Sequence, residues 1–294
     1  MRVPSLNVPS VTPYQRRHRH AVRDLLFRGY RTHTHLDWQE TDQWLEDGER
    51  YPARLAWQNM RLQGILATSE PLNHTCWLRL AAVNDHADAQ AMLSLLWEDL
   101  TPELRMFGVQ TVALLMVRNW IAPYATKLGF HYTEEIITFR RAQTDTPKDP
   151  PPDGLTIRLA TPDDLPTIRA VDNSAFAAPW QMDGEELRQA QRISASCTVA
   201  QIDGDVVGYQ LSTLYFDGAH LARLAVKPEA QGRGVARSLL IDVLQRFARR
   251  NVHSMTVNTQ LSNVRSQHLY TGFGFERTGY DLPVWMVELG NSSS

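Results

Sequence analysis

The stretch from Ala225 to Leu240, AVKPEAQGRGVARSLL, combines bare backbone with positive charge. It begins like a strand and ends with the apolar spacing of an amphipathic helix. Where a strand turns through glycines into a helix, several amide N–H groups have no acceptor, and these donors and the helix dipole favour an anion. Glycine lets the backbone approach that anion, and arginine adds charge-assisted hydrogen bonds to phosphate oxygens. The stretch therefore predicts a pyrophosphate-binding turn.

We call this turn the phosphate loop. The residues expected to bind the ligand are Gln231, Gly232, Arg233, Gly234, Val235, Ala236 and Arg237. A dinucleotide-binding fold would need a third glycine and an acidic residue about 20 positions later. A P-loop would need Gly-Lys-Ser/Thr. Both patterns are missing here, and from the loop alone a glycine-rich connection with a solvated basic face stays an alternative.

The elements around the phosphate loop predict a mixed α/β (α+β) domain. Three antiparallel strands precede the loop, with a tight hairpin at Asp203-Gly204. A helix, a strand, a short helix and two closing strands follow it. The first half of the chain repeats this order, and KLGFHYTEE (Lys127–Glu135) aligns with GFGFERTGY (Gly272–Tyr280), which indicates an internal duplication. The first half has NDHADAQAM, without glycine, where the phosphate loop would be.

A polar, proline-rich segment divides the two halves. QTDTPKDPPPD, residues 143–153, has no apolar period and is typical of an extended spacer. The chain of 294 residues is long enough for two domains. We therefore predict a degenerate N-terminal domain at 1–142, a linker at 143–153 and a ligand-binding domain at 154–294.

Net charge, apolar runs and cysteine content argue against a nucleic-acid-binding, membrane-spanning or disulfide-bonded protein. The net charge of -2 gives no general attraction to nucleic acid or to an acidic membrane. No apolar run approaches the about 20 residues that span a bilayer, and the first residues lack the apolar core of a signal peptide. Cys76 and Cys197 lie in apolar, strand-like runs, which favours buried thiols over a disulfide. We expect a cytoplasmic protein without nucleic-acid or membrane partners.

Two histidine pairs resemble metal ligands at first sight. His18-x-His20 and His33-x-His35 lie in polar segments with no cysteine and no evident carboxylate partner. We expect solvated histidines and no metal. The basic run RRHRH, residues 16–20, is expected to be solvated surface.

Two segments resemble the GNAT acetyltransferase superfamily. The order Gln231-x-x-Gly234-x-Ala236 resembles its acyl-CoA signature, and NVRSQHLYTGFGF, Asn263 to Phe275, resembles its later Asn…Leu-Tyr-x-x-x-Gly-Phe element. AFAAPW, Ala175 to Trp180, is similar to N-acetyltransferases of the ribosomal-protein-alanine type. The resemblance implies two tandem GNAT folds, each a mixed, mostly antiparallel sheet with a V-shaped strand splay, flanked by helices.

The resemblance also implies acetyl-CoA as cosubstrate. Its pyrophosphate would lie on the amides of the phosphate loop. Its pantetheine arm would pair with the backbone of Leu224, Ala225 and Val226, and Asn263 would contact the far side of the arm.

The catalytic roles that the resemblance implies fall on two residues. The backbone N–H of Val226 would bind the oxyanion, and Tyr270, four residues before Gly274, would protonate the leaving thiolate. In the first half, Ala125 takes the position of that tyrosine, with Tyr124 one residue out of register.

The general base is the open role. Similar amino-terminal acetyltransferases have a glutamate five residues before Asn263, but here the residue is Asn258, which accepts no proton at neutral pH. His220, Glu276, Asp217 or a chain of waters are the alternatives.

The sequence predicts an N-acetyltransferase that moves acetyl to a primary amine of a small molecule or a peptide N-terminus. Direct transfer in a ternary complex is expected, because LYTGF and QGRG contain no cysteine for an acyl-enzyme. Tyr280 is a candidate for the acceptor site. The alternatives are an enzyme for an aminoglycoside, polyamine or thiol-precursor amine, and a non-catalytic CoA-binding sensor or scaffold. The acceptor and the oligomeric state, with a homodimer as one option, stay open.

Overall fold

The structure is a computed structural model that describes residues 9–290. Its residue contacts group the chain into two compact units, residues 1–133 with 282–294 and residues 134–281. No helix in the described range is long and apolar enough to cross a membrane.

The first unit contains six strands and four helices that come before the linker. Its strands are β1 (Ser10–Pro13), β2 (Thr32–Thr34), β3 (Ala53–Gln58), β4 (Arg61–Thr68), β5 (Thr75–Val83) and β6 (Thr111–Leu115). Its helices are α1 (Arg19–Arg28), α2 (Thr41–Asp47), α3 (Ala89–Met106) and α4 (Ala122–Ala125). The sheet order is β1-β3-β4-β5-β6, with β2 also paired to β5. Leu93, Leu96 and Leu100 of α3 are fully buried in its core.

The second unit follows the same plan. Its strands are β7 (His131–Ala142), β8 (Leu155–Leu159), β9 (Ser196–Ile202), β10 (Asp205–Tyr215), β11 (Gly218–Val226), β12 (Ser254–Gln260) and β13 (Glu276–Glu288). Its helices are α5 (Leu165–Ala175), α6 (Gly184–Ile193), α7 (Val235–Ala248) and α8 (Val264–Gly272). The sheet order is β7-β12-β11-β10-β9-β8.

The helix after the phosphate loop buries the face that its spacing predicts. The six apolar residues that the spacing places on this face are all buried, as is Ile241; the six are Val235, Leu239, Leu240, Val243, Leu244 and Phe247. Most of them pack with residues of α8, β11 and β12 in one cluster that also contains Tyr270. This cluster fixes the phosphate loop at one end of the helix and the predicted catalytic tyrosine at its side.

A short parallel pairing creates the predicted splay in each unit. β11 pairs with β12 only from Ala219 to Leu221, and all other strand pairs in the second unit are antiparallel. In the first unit, β5 pairs with β6 only from Thr75 to Trp77. Past these three residues the two strands of each pair are no longer hydrogen-bonded to each other.

Irregularities in the sheet repeat between the units and support the duplication. The β4–β5 register skips Arg79, and the β10–β11 register skips Ala222 at the corresponding place. A glycine occupies the same position in each hairpin: a Cβ on Gly64 would lie 3.1 Å from a carbonyl oxygen of the partner strand, and one on Gly208 would lie 2.9 Å away. A bulge and a close backbone approach are therefore common to both copies.

Each unit completes its sheet with a strand from beyond the predicted domain boundary. Ile136–Ala142 of β7 pairs with β12 in the second unit. Val284–Glu288 of β13 pairs with β6 in the first unit. The compact units therefore differ from the predicted domains in the placement of β7 and of the end of β13. The division at 1–142, 143–153 and 154–294 stays a prediction about which segments fold independently.

The prediction for one histidine pair was wrong. His33 is fully buried on β2, and burial lowers its pKa to about 3, so the ring is neutral. His35 Nε2 lies 2.7 Å from Asp37 Oδ1, and Arg79 Nη1 lies 2.5 Å from the other oxygen of that carboxylate. The sequence reading missed Asp37 as a partner, although it lies only two residues after His35.

Both cysteines are buried and unpaired, as predicted. Burial raises the pKa of each thiol to about 12, so both remain protonated at neutral pH. Among the described residues, no cluster of three or more His, Cys, Asp or Glu side chains is arranged to hold a metal ion.

The strand pairing predicts which fragments of the second unit are stable. We expect residues 134–281 to unfold at a higher denaturant concentration than residues 154–281, because the shorter fragment loses β7 and the buried side chains of Ile137 and Phe139. Loss of one large buried apolar side chain alone costs about 2–5 kcal/mol. Urea unfolding followed by circular dichroism measures the difference, and equal midpoints would contradict it.

Candidate active site

The open edge of β11 carries two backbone amides toward the splay. Lys227 N donates to Val207 O at 2.8 Å, and Val226 lies opposite Gly208. Because successive residues of a strand direct their N–H and C=O groups to opposite edges, Leu224 and Val226 direct theirs away from β10. The structure thus places two of the three predicted backbone partners, Leu224 and Val226, on the side where β12 has stopped pairing. The prediction for Ala225 was wrong, because its backbone groups face Tyr209 of β10.

The phosphate loop has the backbone conformation that an anion site requires. Gly232 has φ +77° and Gly234 has φ +79°, both in the left-handed region that favours glycine. The first hydrogen bond of α7 runs from Ser238 N to Gly234 O at 2.9 Å, and no side chain caps the helix start. The amides just before Ser238 therefore have no acceptor within the helix.

The linker packs against this loop, which the sequence analysis did not predict. Pro152 Cγ lies 2.9 Å from the position that a Cβ on Gly234 would take. Asp149 forms an exposed ion pair with Arg237, and Gln245 Nε2 donates to Pro147 O at 2.8 Å. Gly234 is thus needed for its positive φ and for the packing of Pro152.

The two arginines of the loop differ in their surroundings. Arg237 already has a carboxylate partner from the linker. Arg233 is exposed and has no side-chain partner among the described residues. Of the two predicted phosphate contacts, Arg233 is the one whose guanidinium is unoccupied.

Gln231 and Asn263 both take structural roles around the loop. Gln231 Nε2 donates to Val226 O at 3.2 Å, and its Oε1 accepts from Arg265. Asn263 Oδ1 caps α8 by accepting from Ser266 N at 3.1 Å. The side-chain nitrogen Nδ2 of Asn263 has no partner among the described residues and remains a donor for a ligand.

Tyr270 lies in the core cluster between α7, α8 and β12. Only 5% of the residue is exposed, and its ring lies 5.9 Å from that of Phe275. Burial raises the pKa of Tyr270 well above its ordinary value, and a hydrogen bond with the Ser266 side chain opposes this only in part. The phenol is therefore protonated throughout the physiological range.

A buried ion pair, missed in the sequence, joins α5 to β11. Arg223 Nε donates to Asp172 Oδ2 at 2.8 Å, and Tyr209 Oη donates to the same oxygen at 2.6 Å. Arg223 also lies 3.9 Å from the ring centroid of Phe176 and donates to Trp180 O. This network fixes the AFAAPW segment over β11. From the sequence, this ion pair is indicated only by an acidic residue on a helix, Asp172, and an arginine in an apolar strand, Arg223.

The residues considered for the base have different environments. Asn258, Asp217 and Glu276 are exposed. His220 is half-buried on β11, and its Nδ1 lies 2.8 Å from Thr256 Oγ1. Burial lowers the pKa of His220, so the imidazole is neutral at pH 7.

The first unit has a carboxylate where the second has its phosphate loop. Asp88 Oδ1 caps α3 by accepting from Ala91 N at 3.1 Å. A phosphate at that helix start would meet a negative charge instead of free amides. Ala125 is buried where the second unit has its tyrosine. These residues give a physical basis for the predicted loss of function in this copy.

Comparison with known proteins identifies one domain of this chain. The model of the acetyltransferase (GNAT) family matches residues 165–275. These residues form a GNAT acetyltransferase domain. They contain the splayed strands, the phosphate loop and Tyr270.

Two curated relatives are similar to part of this chain. The putative [ribosomal protein bS18]-alanine N-acetyltransferase of Bacillus subtilis is 24% identical over 117 residues, which are 40% of this chain and 78% of that protein. The mycothiol acetyltransferase of Tsukamurella paurometabola is 29% identical over 171 residues, 51% of this chain and 59% of that protein. The chain thus spans only about three fifths of this second relative. Homologues named as N-acetyltransferases support an acyltransferase.

The whole chain also has a counterpart among solved structures. A tandem GNAT protein from the clavulanic acid biosynthesis pathway matches with a TM-score of 0.66 and 16% identity, covering 97% of this chain and all of that one. At this identity the match shows the fold alone. It confirms the predicted pair of tandem GNAT folds.

The Asp149–Arg237 pair predicts a variant with improved ligand binding. Asp149→Asn should raise the affinity for CoA several-fold at low salt, because Arg237 becomes available for phosphate and a nearby negative charge is removed. The gain should shrink as salt increases. Calorimetric titration measures it, and Asp153→Asn is the matched control on the same exposed linker. Unchanged affinity in Asp149→Asn would show that Arg237 does not contact the ligand.

The buried ion pair predicts a loss of stability. Asp172→Ala should lower the free energy of unfolding by about 3–5 kcal/mol, because it leaves Arg223 buried without a counter-charge. Arg188→Ala, which breaks an exposed pair with Glu185, should cost at most about 1 kcal/mol. Denaturant unfolding of the two variants tests the contrast, and similar losses would contradict it.

Proposed function

We propose that the second unit binds acetyl-CoA and transfers its acetyl group directly to a primary amine. The observation that carries this proposal is the open edge of β11 leading to unpaired amides at the start of α7. A pantetheine arm has amide groups that can pair with Leu224 and Val226 as an added strand. Its pyrophosphate can accept from amides of the phosphate loop.

The loop residues divide the binding task. Gly232, Gly234, Val235 and Ala236 offer backbone, and Arg233 offers a free guanidinium. Gln231 holds the end of β11 by its hydrogen bond to Val226 O. The side-chain nitrogen Nδ2 of Asn263, which has no partner among the described residues, is a donor for a carbonyl of the pantetheine arm.

Acetyl transfer requires a hydrogen-bond donor that stabilises the oxyanion and an acid that protonates the leaving thiolate. A backbone N–H at the open edge of β11, predicted to be that of Val226, supplies the first, and one such donor contributes about 3 kcal/mol to the transition state. Tyr270 is the proposed acid, since its phenol keeps its proton at neutral pH. The C–N bond forms as the C–S bond breaks, and the thiolate takes the proton of Tyr270. The new amide nitrogen loses one proton to water, and Tyr270 regains a proton from solvent.

The names of the relatives support a primary amine as the acetyl acceptor. The bS18-alanine relatives are named for an alanine of a ribosomal protein, and the mycothiol relatives for mycothiol. For this chain we propose an amine of a peptide N-terminus or a small molecule.

Acetyl-CoA, an amine panel and a thiol reagent test the proposal. The wild-type protein should release CoA only when an amine is present, and Tyr270→Phe should lower this turnover by about 100-fold while leaving CoA affinity unchanged. Tyr215→Phe, at an exposed tyrosine in the same unit, is the control. CoA binding without amine-dependent release would indicate a sensor instead, and no binding at all would refute both functions.

A further inference from the structure

His220 and Thr256 lie side by side at the closed end of the splay. They are register partners in the short parallel pair, one residue before its last pair, Leu221 and Val257. Ala219 and Leu221 pack into the core under α7 and α8. Because side chains alternate along a strand, His220 faces the opposite side of the sheet. Arg223, which contacts α5, shares that side with His220, because the register skips Ala222 and their β10 partners are two residues apart.

One ring nitrogen of His220 is held and the other is free. Nδ1 lies 2.8 Å from Thr256 Oγ1, and that hydroxyl lies 3.5 Å from Ala219 O, to which its proton can point. In this arrangement Nδ1 donates, so Nε2 carries the lone pair. Among the described residues Nε2 has no partner, and it is not one of the side-chain nitrogens sealed from solvent.

The position of His220 favours one of the two open-edge amides as its counterpart. The β10 partners of His220 and Leu224 are three residues apart, about 10 Å, whereas those of His220 and Val226 are five apart, about 17 Å. Leu224 packs against the cluster that contains Tyr270 and also against the cluster that contains Val226, so it lies between the two. The Leu224 amide, rather than the Val226 amide predicted from the sequence, is therefore the open-edge donor nearer to His220.

We propose that His220 Nε2 accepts the proton of the acceptor ammonium, and that the acceptor is an amine whose conjugate acid has a pKa near 8. This inference rests on the proposed acetyl transfer. The proton passes from nitrogen to Nε2, the neutral amine attacks the acetyl carbon, and the C–S bond breaks. The electron pair of that bond leaves on sulfur, which takes the proton of Tyr270. The nitrogen, now bonded to the acetyl carbon, loses its extra proton to water, and the Tyr270 phenolate is reprotonated from solvent.

The choice of amine follows from the basicity of the imidazole. The cross-strand neighbours of His220 are uncharged, Thr213 on β10 and Thr256 on β12, and burial lowers its pKa below the ordinary 6.5. An α-ammonium has a pKa of about 8, and a lysine-type ammonium about 10.4. The acid dissociation constant of the lysine-type ammonium is therefore more than a hundred times smaller than that of the α-ammonium. A peptide N-terminus and an amino sugar share the favoured chemistry.

Substitution of the imidazole tests the role directly. We expect His220→Gln to lower kcat by at least about 100-fold with unchanged CoA affinity, and added imidazole to restore part of the activity of His220→Ala. His253→Gln changes an exposed histidine of the same unit and should have no effect. A His220→Gln enzyme with wild-type kcat would overturn the inference and leave the acetyltransferase intact. A wild-type protein that releases no CoA with any amine would overturn both.

A panel of acceptors tests the substrate class. A lysine-free peptide with a free N-terminus and an amino sugar represent the two sources of weakly basic amine, and Nα-acetyl-lysine represents the strongly basic class. We expect kcat/KM at pH 7 to be at least about tenfold higher for one of the first two, because of the pKa gap. A preference for Nα-acetyl-lysine would overturn the assignment.

Discussion

The unpaired edge of β11 is the constraint on which the rest of the second unit depends. Buried backbone N–H and C=O groups need partners, and a strand that loses its neighbour must find them in solvent or in a ligand. Here the neighbour is lost after Leu221, while antiparallel pairing with β10 continues to Val226. The result is a rigid strand with one satisfied edge and one available edge. The phosphate loop, α7 and Tyr270 are arranged around that available edge.

Features that depend on local sequence were predictable. The phosphate loop was recognised because glycines at positive φ, a helix start and arginines are neighbours in the chain. The buried face of α7 follows from its spacing, and the duplication from the repeated order of elements. Even so, the matching glycines of the two hairpins, Gly64 and Gly208, were overlooked. Their surrounding residues differ, and only the register shows that they are equivalent.

Features that depend on contacts distant in sequence were not predictable. Arg223 and Asp172 are 51 residues apart, and nothing near either residue indicates a partner. The linker was read as a spacer, since prolines specify extended backbone but not the surface on which it lies. His33 was expected in solvent because its neighbours are polar, yet β2 pairs with β5 and encloses it.

The last residues of β13 have a consequence for how this protein is made. A chain leaving the ribosome usually folds its first domain before the rest is synthesised. Here β6 gains its antiparallel partner from Val284–Glu288, which is translated about 170 residues later. Until then its edge stays exposed to other strands, a recognised hazard for aggregation. Chaperone binding to the nascent polypeptide is therefore expected to last until β13 has been synthesised.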